Sequence, residues 1–433
     1  MAGALLTQPL QLPCGVSIRN RIAKAAMTEG LGDALGRPTD GHVKLYGAWA
    51  NGGAGLLLTG NVVIDRDHLE RPGNVVIAGE PDAEMRSRLT AWAKAGTAGG
   101  TQLWMQISHA GRQTQALTNP HPKAPSAVKL GLPGNQFGEP VALTESEIVD
   151  LILRYATAAR IARETGFTGV QIHAAHGYLI SQFLSPRSNI RTDKWGGSLE
   201  NRARFLLEAV AKTRAAVGPA FPVAVKLNSA DFQKGGFAFE ESLAVARWLE
   251  AAGVDLIEVS GGSYEQPKMM DVAGLEAAEE QKVAASTGVR EAYFVDFAKA
   301  MRAALKIPVM VTGGLRSREA VLHALGTNAA DIVGLGRPMC VDTDAPRQLI
   351  DGAASLTRWE KTLHMFPSWL SFLRGVNMLR AVEGFAIQYW FYAQLYRLGR
   401  GEAVDRNLGV FKAFREVEAT HRRLAKEIAA ARA

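Results

Sequence analysis

Residues 169–178, Gly169-Val-Gln-Ile-His173-Ala-Ala-His176-Gly-Tyr178, carry the reading that decides the fold. Val170 and Ile172 are β-branched and apolar, so a buried strand is predicted, and polar donors begin where it ends. A (β/α)8 barrel places its chemistry at the carboxyl ends of its strands, which is the arrangement seen here. An extended chain would send His173 and His176 to opposite sides, whereas a turn directly after Ile172 brings them together. Two neutral imidazoles can each donate a hydrogen bond to one oxygen, with Tyr178 beside them as a proton source. That is carbonyl-polarising chemistry. A His-x-x-His metal pair and a purely structural pair are the competing readings. The metal reading lacks a carboxylate or cysteine between Val170 and Asp193 to complete a ligand set, so no metal is expected.

Working outward, strands are predicted at 21–27, 55–60, 101–107, 169–172, 221–227, 256–260, 308–312 and 331–335, with helices between them. Ser198 caps one helix, with Glu200 at its positive end and Leu199, Ala203, Leu206 and Val210 along one side. Thr144 opens another, with Glu145 and Glu147 in its first turn. Strand–helix alternation implies a parallel sheet, and eight repeats predict an α/β fold of the (β/α)8 TIM-barrel class. Two long insertions, 111–141 and 262–288, follow the third and sixth strands on the expected catalytic rim, where lids are found.

Alternation stops after about Asp344. The expected organisation is a barrel over 1–345 and a helical C-terminal extension over 346–433, packed on the barrel or at a subunit interface. Within the extension, 366–396 is apolar and aromatic, with Trp369, Phe372, Trp390, Phe391 and Tyr392. Its longest uncharged run, 384–396, has 13 residues, short of the ~20 that span a bilayer. The outside of the barrel, a subunit contact and a membrane face are the three places open to this surface.

An apolar content of 47 % is ample for a large core. Two cysteines, Cys14 and Cys340, exclude a four-cysteine cluster within the chain and fit a reducing cytosol. Residues 1–12 lack a basic region followed by an apolar run, so no secretory signal and a cytoplasmic location are expected. Of the net charge of +7, +4 falls in 397–433, where nine Lys/Arg mix with five Asp/Glu. Mixed signs on a helix read as a solvated face, so no nucleic-acid partner is expected. The expected partner is a small-molecule substrate, with no membrane association and a homo-oligomer left open.

Val311-Thr312-Gly313-Gly314-Leu315 and Asp331-Ile-Val-Gly334-Leu-Gly336-Arg337-Pro338 end the seventh and eighth predicted strands, the usual phosphate position of this barrel class. Glycines let backbone amides approach a phosphate, a helix starting near Ser317 can point its N-terminus at the anion, and Arg337 adds charge. No Gly-x-Gly-x-x-Gly follows the first strand, so a mononucleotide such as FMN fits better than a dinucleotide. Lys226, ending the fifth strand, would face the barrel mouth and stabilise charge near N1 and the C2 carbonyl of a reduced flavin. Gln106, Gly60 and Thr28 are expected at the ends of the third, second and first strands. There Gln106 can meet the flavin's pyrimidine edge and Thr28 its C4 carbonyl.

These residues resemble the Old Yellow Enzyme family of FMN-dependent NAD(P)H oxidoreductases. The resemblance runs from residue 5 to about 346, through Asn20-Arg-Ile, Gln106-Ile-Ser-His109-Ala-Gly-Arg112, the 173–202 block, Gly313-Gly314 and Gly336-Arg337. It implies FMN held by Met27, Thr28, Gly60, Gln106, Lys226, Gly314, Gly336 and Arg337. It also implies a substrate carbonyl bound by His173 and His176, with Tyr178 as proton donor. Ala26 stands where the family commonly has proline, and Lys226 where many members have arginine. The implied reaction is ping-pong reduction of the C=C bond of an α,β-unsaturated carbonyl compound, with NADH or NADPH as reductant. Still open are another acceptor or donor (a nitro compound, a quinone, a C–N bond), a metal-dependent lyase on the same barrel, and a non-catalytic flavin-binding, membrane-associated module.

Overall fold

The computed structural model describes residues 3–132, 136–266, 294–365 and 377–432, with 377–382 and 385 described by their backbone alone. Eight parallel strands close a barrel: β1 (Ile22–Lys24), β2 (Leu56–Val63), β3 (Gln102–Ser108), β4 (Gly169–Ala174), β5 (Val223–Asn228), β6 (Leu256–Ser260), β7 (Val309–Thr312) and β8 (Ile332–Leu335). Each pairs with its neighbours in sequence, and β1 closes the ring by pairing with both β8 and β2. Strands buried on both faces need near-continuous apolar runs, and Val223-Ala-Val-Lys-Leu-Asn228, buried throughout, shows why this sequence folds so.

Alternation along each strand sorts the side chains into two cores. Ala23, Leu56, Leu58, Trp104, Ala224, Leu256, Met310 and Ile332 fill the lumen together with Leu10, Leu12 and Ile18. The last three come from an N-terminal hairpin, Leu10–Gln11 against Ser17–Ile18, which plugs the amino end of the barrel. Two residues further along several strands the lumen becomes polar: Trp104 is followed by Gln106, Ala224 by Lys226 and Leu256 by Glu258. Gly169 makes room for the lumen tryptophan, since a Cβ there would sit 2.5 Å from Trp104 Cδ1.

The outer helices are α1 (Asp40–Ala50), α2 (Ala83–Gly96), α3 (Glu145–Glu164), α4 (Leu199–Val217), α5 (Phe239–Ala251), α6 (Val295–Ala304), α7 (Arg318–Gly326) and α8 (Ala345–Ile350). Thr144 caps α3 in a capping box with Glu147, and Ser198 caps α4, satisfying first-turn amides that otherwise lack partners. Beyond the barrel come α9 (Asn377–Arg400) and α10 (Val410–Arg432), which pack on each other, with α9 also against α1.

Three strand ends differ from expectation. Strand β1 stops at Lys24, so Met27 and Thr28 lie in the following loop. Strand β2 runs past Gly60 to Val63 through a register shift between Leu58 and Asn61. Strand β4 continues to Ala174 because His173 and Ala174 stay paired with Lys226 and Leu227, so the turn comes after Ala174. Trp369 and Phe372 lie outside the described residues, as does all of the second insertion past Gln266.

Candidate active site

The turn after β4 is built on two left-handed residues, His176 (φ 62°) and Gly177 (φ 76°). A non-glycine residue in this region is uncommon and needs its surroundings to hold it. The His176 amide donates to Asn228 Oδ1 (3.0 Å), Gln113 Nε2 donates to the His176 carbonyl (3.0 Å), and Gln182 Nε2 donates to the Gly177 carbonyl (2.7 Å). The result brings the three expected side chains together. The His173 ring centroid lies 5.0 Å from that of His176 and 4.8 Å from that of Tyr178, with near-perpendicular planes.

A backbone hydrogen bond sets the proton position on His173, and a serine hydroxyl meets His176. The Ala175 amide donates to His173 Nδ1 (3.2 Å), which leaves the His173 proton on Nε2. His176 Nε2 lies 2.6 Å from Ser260 Oγ; when that hydroxyl donates, the His176 proton sits on Nδ1. Burial holds both imidazoles well below the ordinary histidine range, helped by the Lys226 ammonium and, for His173, by His176. Both are neutral donors near pH 7. Burial, reinforced by the Glu70 carboxylate, raises the Tyr178 phenol well above its usual value and keeps it protonated.

His173, His176 and Tyr178 share one cavity at the barrel mouth with Met27, Thr28, Gln106, Lys226, Gly314, Gly336 and Arg337. Gly60 does not line it. Its amide donates to Glu29 Oε1 (2.8 Å), and a Cβ there would sit 2.6 Å from both the Met27 carbonyl oxygen and Thr28 Cα. Gly60 therefore lets the Met27–Thr28 loop lie against β2. Gln106 Nε2 donates to Gln171 Oε1 (2.7 Å) and Gln171 Nε2 to Glu258 Oε2 (2.7 Å), while Thr312 Oγ1 donates to Glu258 Oε1 (2.7 Å) and Lys226 Nζ pairs with it (3.0 Å). This network orients Gln106 and Lys226 and supplies the counter-charge that a buried ammonium requires.

At the other end of the cavity, Gly313 (φ 134°) and Gly314 (φ 73°) turn the chain after β7, ahead of Ser317, whose hydroxyl caps α7. Arg316 and Arg337 converge there on Glu360, at 3.1 and 3.5 Å. Open glycine backbone, a helix N-terminus and two guanidiniums fit a phosphate monoester. A polar lumen floor with an amide and an ammonium fits a flavin's pyrimidine ring, so the residues present fit FMN.

The roof holds residues that the sequence reading missed. Phe137 and Tyr264 come from the two insertions, Glu70 and Arg71 from the segment after β2, and Gln388, Tyr389, Phe391, Tyr392 and Leu395 from α9. Side chains of α9 thus help to wall the barrel mouth, a place for the apolar stretch beside the three considered above. Arg71 pairs with Glu70 (2.5 Å) and stacks over the Tyr392 ring (3.9 Å). Among the described residues, no helix is long and apolar enough to cross a membrane.

One further cluster, Asp65, His68 and His109, has its ligand atoms within 4.8 Å of one another. The Lys123 amide donates to His68 Nε2 (2.7 Å) and the Gly111 amide to His109 Nδ1 (3.0 Å), so each ring carries its proton on the nitrogen facing Asp65. A metal-bound imidazole needs the opposite arrangement. Burial alone would raise the Asp65 carboxyl, but His109 and His68 outweigh it and hold that group well below its usual range. The cluster ties the β3 loop to the β2 loop.

Residues 5–355 match the model of the NADH:flavin oxidoreductase / NADH oxidase family. The chain is 35 % identical over 377 residues to the NADH-dependent flavin oxidoreductase iliE of Hypocrea jecorina (strain QM6a), covering 81 % of this chain and 90 % of that protein. It is 36 % identical over 366 residues to iliE of Neonectria sp. (strain DH2), covering 81 % of this chain but only 47 % of the longer relative. Among solved structures, the old yellow enzyme homologue from Zymomonas mobilis superposes with a TM-score of 0.67 at 25 % identity, covering 81 % of this chain and 94 % of that one. With the barrel, the two glycine turns and the paired imidazoles in place, the chain belongs to the NADH:flavin oxidoreductase / NADH oxidase family, that of the Old Yellow Enzymes, which use FMN and take reducing equivalents from NADH or NADPH.

Proposed function

We propose that this protein reduces the C=C bond of α,β-unsaturated carbonyl compounds at the expense of NADH or NADPH in a ping-pong cycle. The observation that carries the reading is the pair of neutral imidazoles, one tied to a backbone amide and the other to the Ser260 hydroxyl, sharing a cavity with a protonated phenol. FMN, when bound, supplies the hydride chemistry, accepting from the nicotinamide and donating to the substrate's Cβ. Gly314, Gly336 and Arg337, with Arg316, would hold its phosphate, and Met27, Thr28, Gln106 and Lys226 its ring system. Gly60 contributes by shaping the loop that carries Met27 and Thr28.

His173 Nε2–H and His176 Nδ1–H donate to the substrate's carbonyl oxygen. Charge grows on that oxygen as the substrate becomes enolate-like, so these bonds strengthen in the transition state and accelerate the reaction. Neutral imidazoles suit the task, because they give up no proton that must later be recovered. Tyr178 then delivers a proton to Cα. The roof of Phe137, Tyr264, Tyr389 and Tyr392 limits water at the reacting carbons and favours a planar, apolar acceptor.

Anaerobic reduction with each nicotinamide, followed by 2-cyclohexenone, a nitroarene or a quinone, tests the reading. Reoxidation by the enone with formation of the saturated ketone is expected, together with its loss in His173→Ala and His176→Ala. Parental enone turnover in both variants with flavin still bound would remove the carbonyl assignment.

A further inference from the structure

Tyr264 has so far served only as part of the roof, yet its hydroxyl meets the proton donor. Tyr264 Oη lies 2.9 Å from Tyr178 Oη and donates to Glu70 Oε1 at 3.3 Å. Arg71, paired with the same carboxylate oxygen at 2.5 Å, keeps Glu70 ionised at rest, so in the resting protein Glu70 is the acceptor. Tyr264 therefore spends its proton on Glu70 and accepts from Tyr178, and the chain runs Tyr178 to Tyr264 to Glu70. All three residues line the cavity, and Tyr178 and Glu70 are 6 % and 4 % exposed.

Tyr264 is also held in place. Its amide donates to Gln113 Oε1 (3.4 Å), and its neighbour Glu265 accepts from Arg112 Nη2 (2.7 Å) and from the Gly131 amide (2.7 Å). The two insertions are thereby clamped together with the phenol over the proton donor. A Tyr178 that has given its proton to Cα would be left as a phenolate in a buried site facing the Glu70 carboxylate, a placement that is costly unless a proton arrives at once.

Resting on the enone reading above, we infer that Tyr264 and Glu70 form a proton relay that reloads Tyr178. As the Tyr178 O–H bond breaks and the Cα–H bond forms, the Tyr264 hydroxyl turns from Glu70 to the Tyr178 oxygen and hands over its proton. Glu70, a carboxylate at rest, then takes a proton from water and passes it to the Tyr264 oxygen, returning to the carboxylate. No electrons move along the chain, and one solvent proton is consumed for each C=C bond reduced, as the overall reaction requires. Tyr264 is thus a positioning residue that acts through Tyr178.

The test uses Tyr264→Phe holoenzyme, which keeps the ring and removes one oxygen. After anaerobic reduction by NADH or NADPH, stopped-flow reoxidation by 2-cyclohexenone should slow about tenfold or more, within the range of general-acid contributions. Reoxidation by benzoquinone, which takes its proton on oxygen, should slow by a clearly smaller factor than reoxidation by the enone. A proton inventory in H2O/D2O mixtures should be bowl-shaped for the parent and straight for the variant. In the oxidised protein labelled with 13Cζ-tyrosine, the Tyr178 resonance should move when its partner's oxygen is removed. An unmoved resonance, a parental enone rate, or an equal slowing with quinone overturns the relay. If the variant fails to hold FMN, a straight proton inventory in the parent overturns it alone. A parent that reduces quinone but ignores cyclohexenone removes the enone reading and the relay with it, whereas failure of the relay alone leaves the parent's enone reduction intact.

Discussion

Replacing Ser260 with alanine isolates the proton position on His176. The hydroxyl lies 2.6 Å from Nε2, and the ring donates through Nδ1 only while Nε2 accepts. Removing one such hydrogen bond costs a net ~0.5–1.5 kcal/mol, or about two- to tenfold in rate if all of it appears in the transition state. It also frees the proton to move to Nε2, which would turn a lone pair toward the substrate carbonyl. The upper bound is complete loss of one donor, ~2.7–4 kcal/mol or about a hundred- to a thousandfold in kcat, which His176→Ala should reach. The expected order is parent, then Ser260→Ala, then His176→Ala, read as kcat at saturating 2-cyclohexenone with flavin content checked by absorbance. The double variant should be no slower than His176→Ala, because the serine acts only through the ring. Parental kcat in Ser260→Ala, or a double variant as slow as the product of the two single effects, would refute the assignment.

Gly169→Ala should lower stability by about 1–3 kcal/mol, as overpacked cores do, because its Cβ would meet the Trp104 indole at 2.5 Å; urea unfolding reads it. Burial lowers His42 and His109 to about 4, whereas in the unfolded chain they titrate near ~6.5. Above that value neither state is charged. As the pH falls toward 4 the unfolded chain takes up protons that the folded one refuses, so the urea midpoint should decline across this window, less steeply in His42→Gln. Dialysis against EDTA should leave the thermal midpoint unchanged and added zinc should not raise it, since the imidazoles of His68 and His109 carry their protons toward Asp65.

The eight strands were legible because parallel strands buried on both faces read as apolar runs. Lys226 and the His173–Tyr178 block stood out as polar groups at their ends. Gln171 and Glu258 carried a signal that could have been used, since each is a polar residue two positions beyond a lumen residue. The ends of β1 and β2 were misplaced because Glu29 holds the Met27–Thr28 loop through a contact 31 residues away, at Gly60, that no local pattern announces. Tyr264 meets Tyr178 across 86 residues and Glu70 across 194, so their meeting exists only once the barrel is closed. The aromatic stretch of the extension was visible as apolar, but its composition alone does not choose between solvent, a partner and the substrate's own chamber.

The family model ends at residue 355, while α9 begins at Asn377 and still forms part of the chamber wall. The chamber wall is therefore shared between the barrel with its insertions and a helix that the family model leaves out. Exchanging α9 between relatives becomes a way to reshape the chamber while the barrel's own donors stay in place.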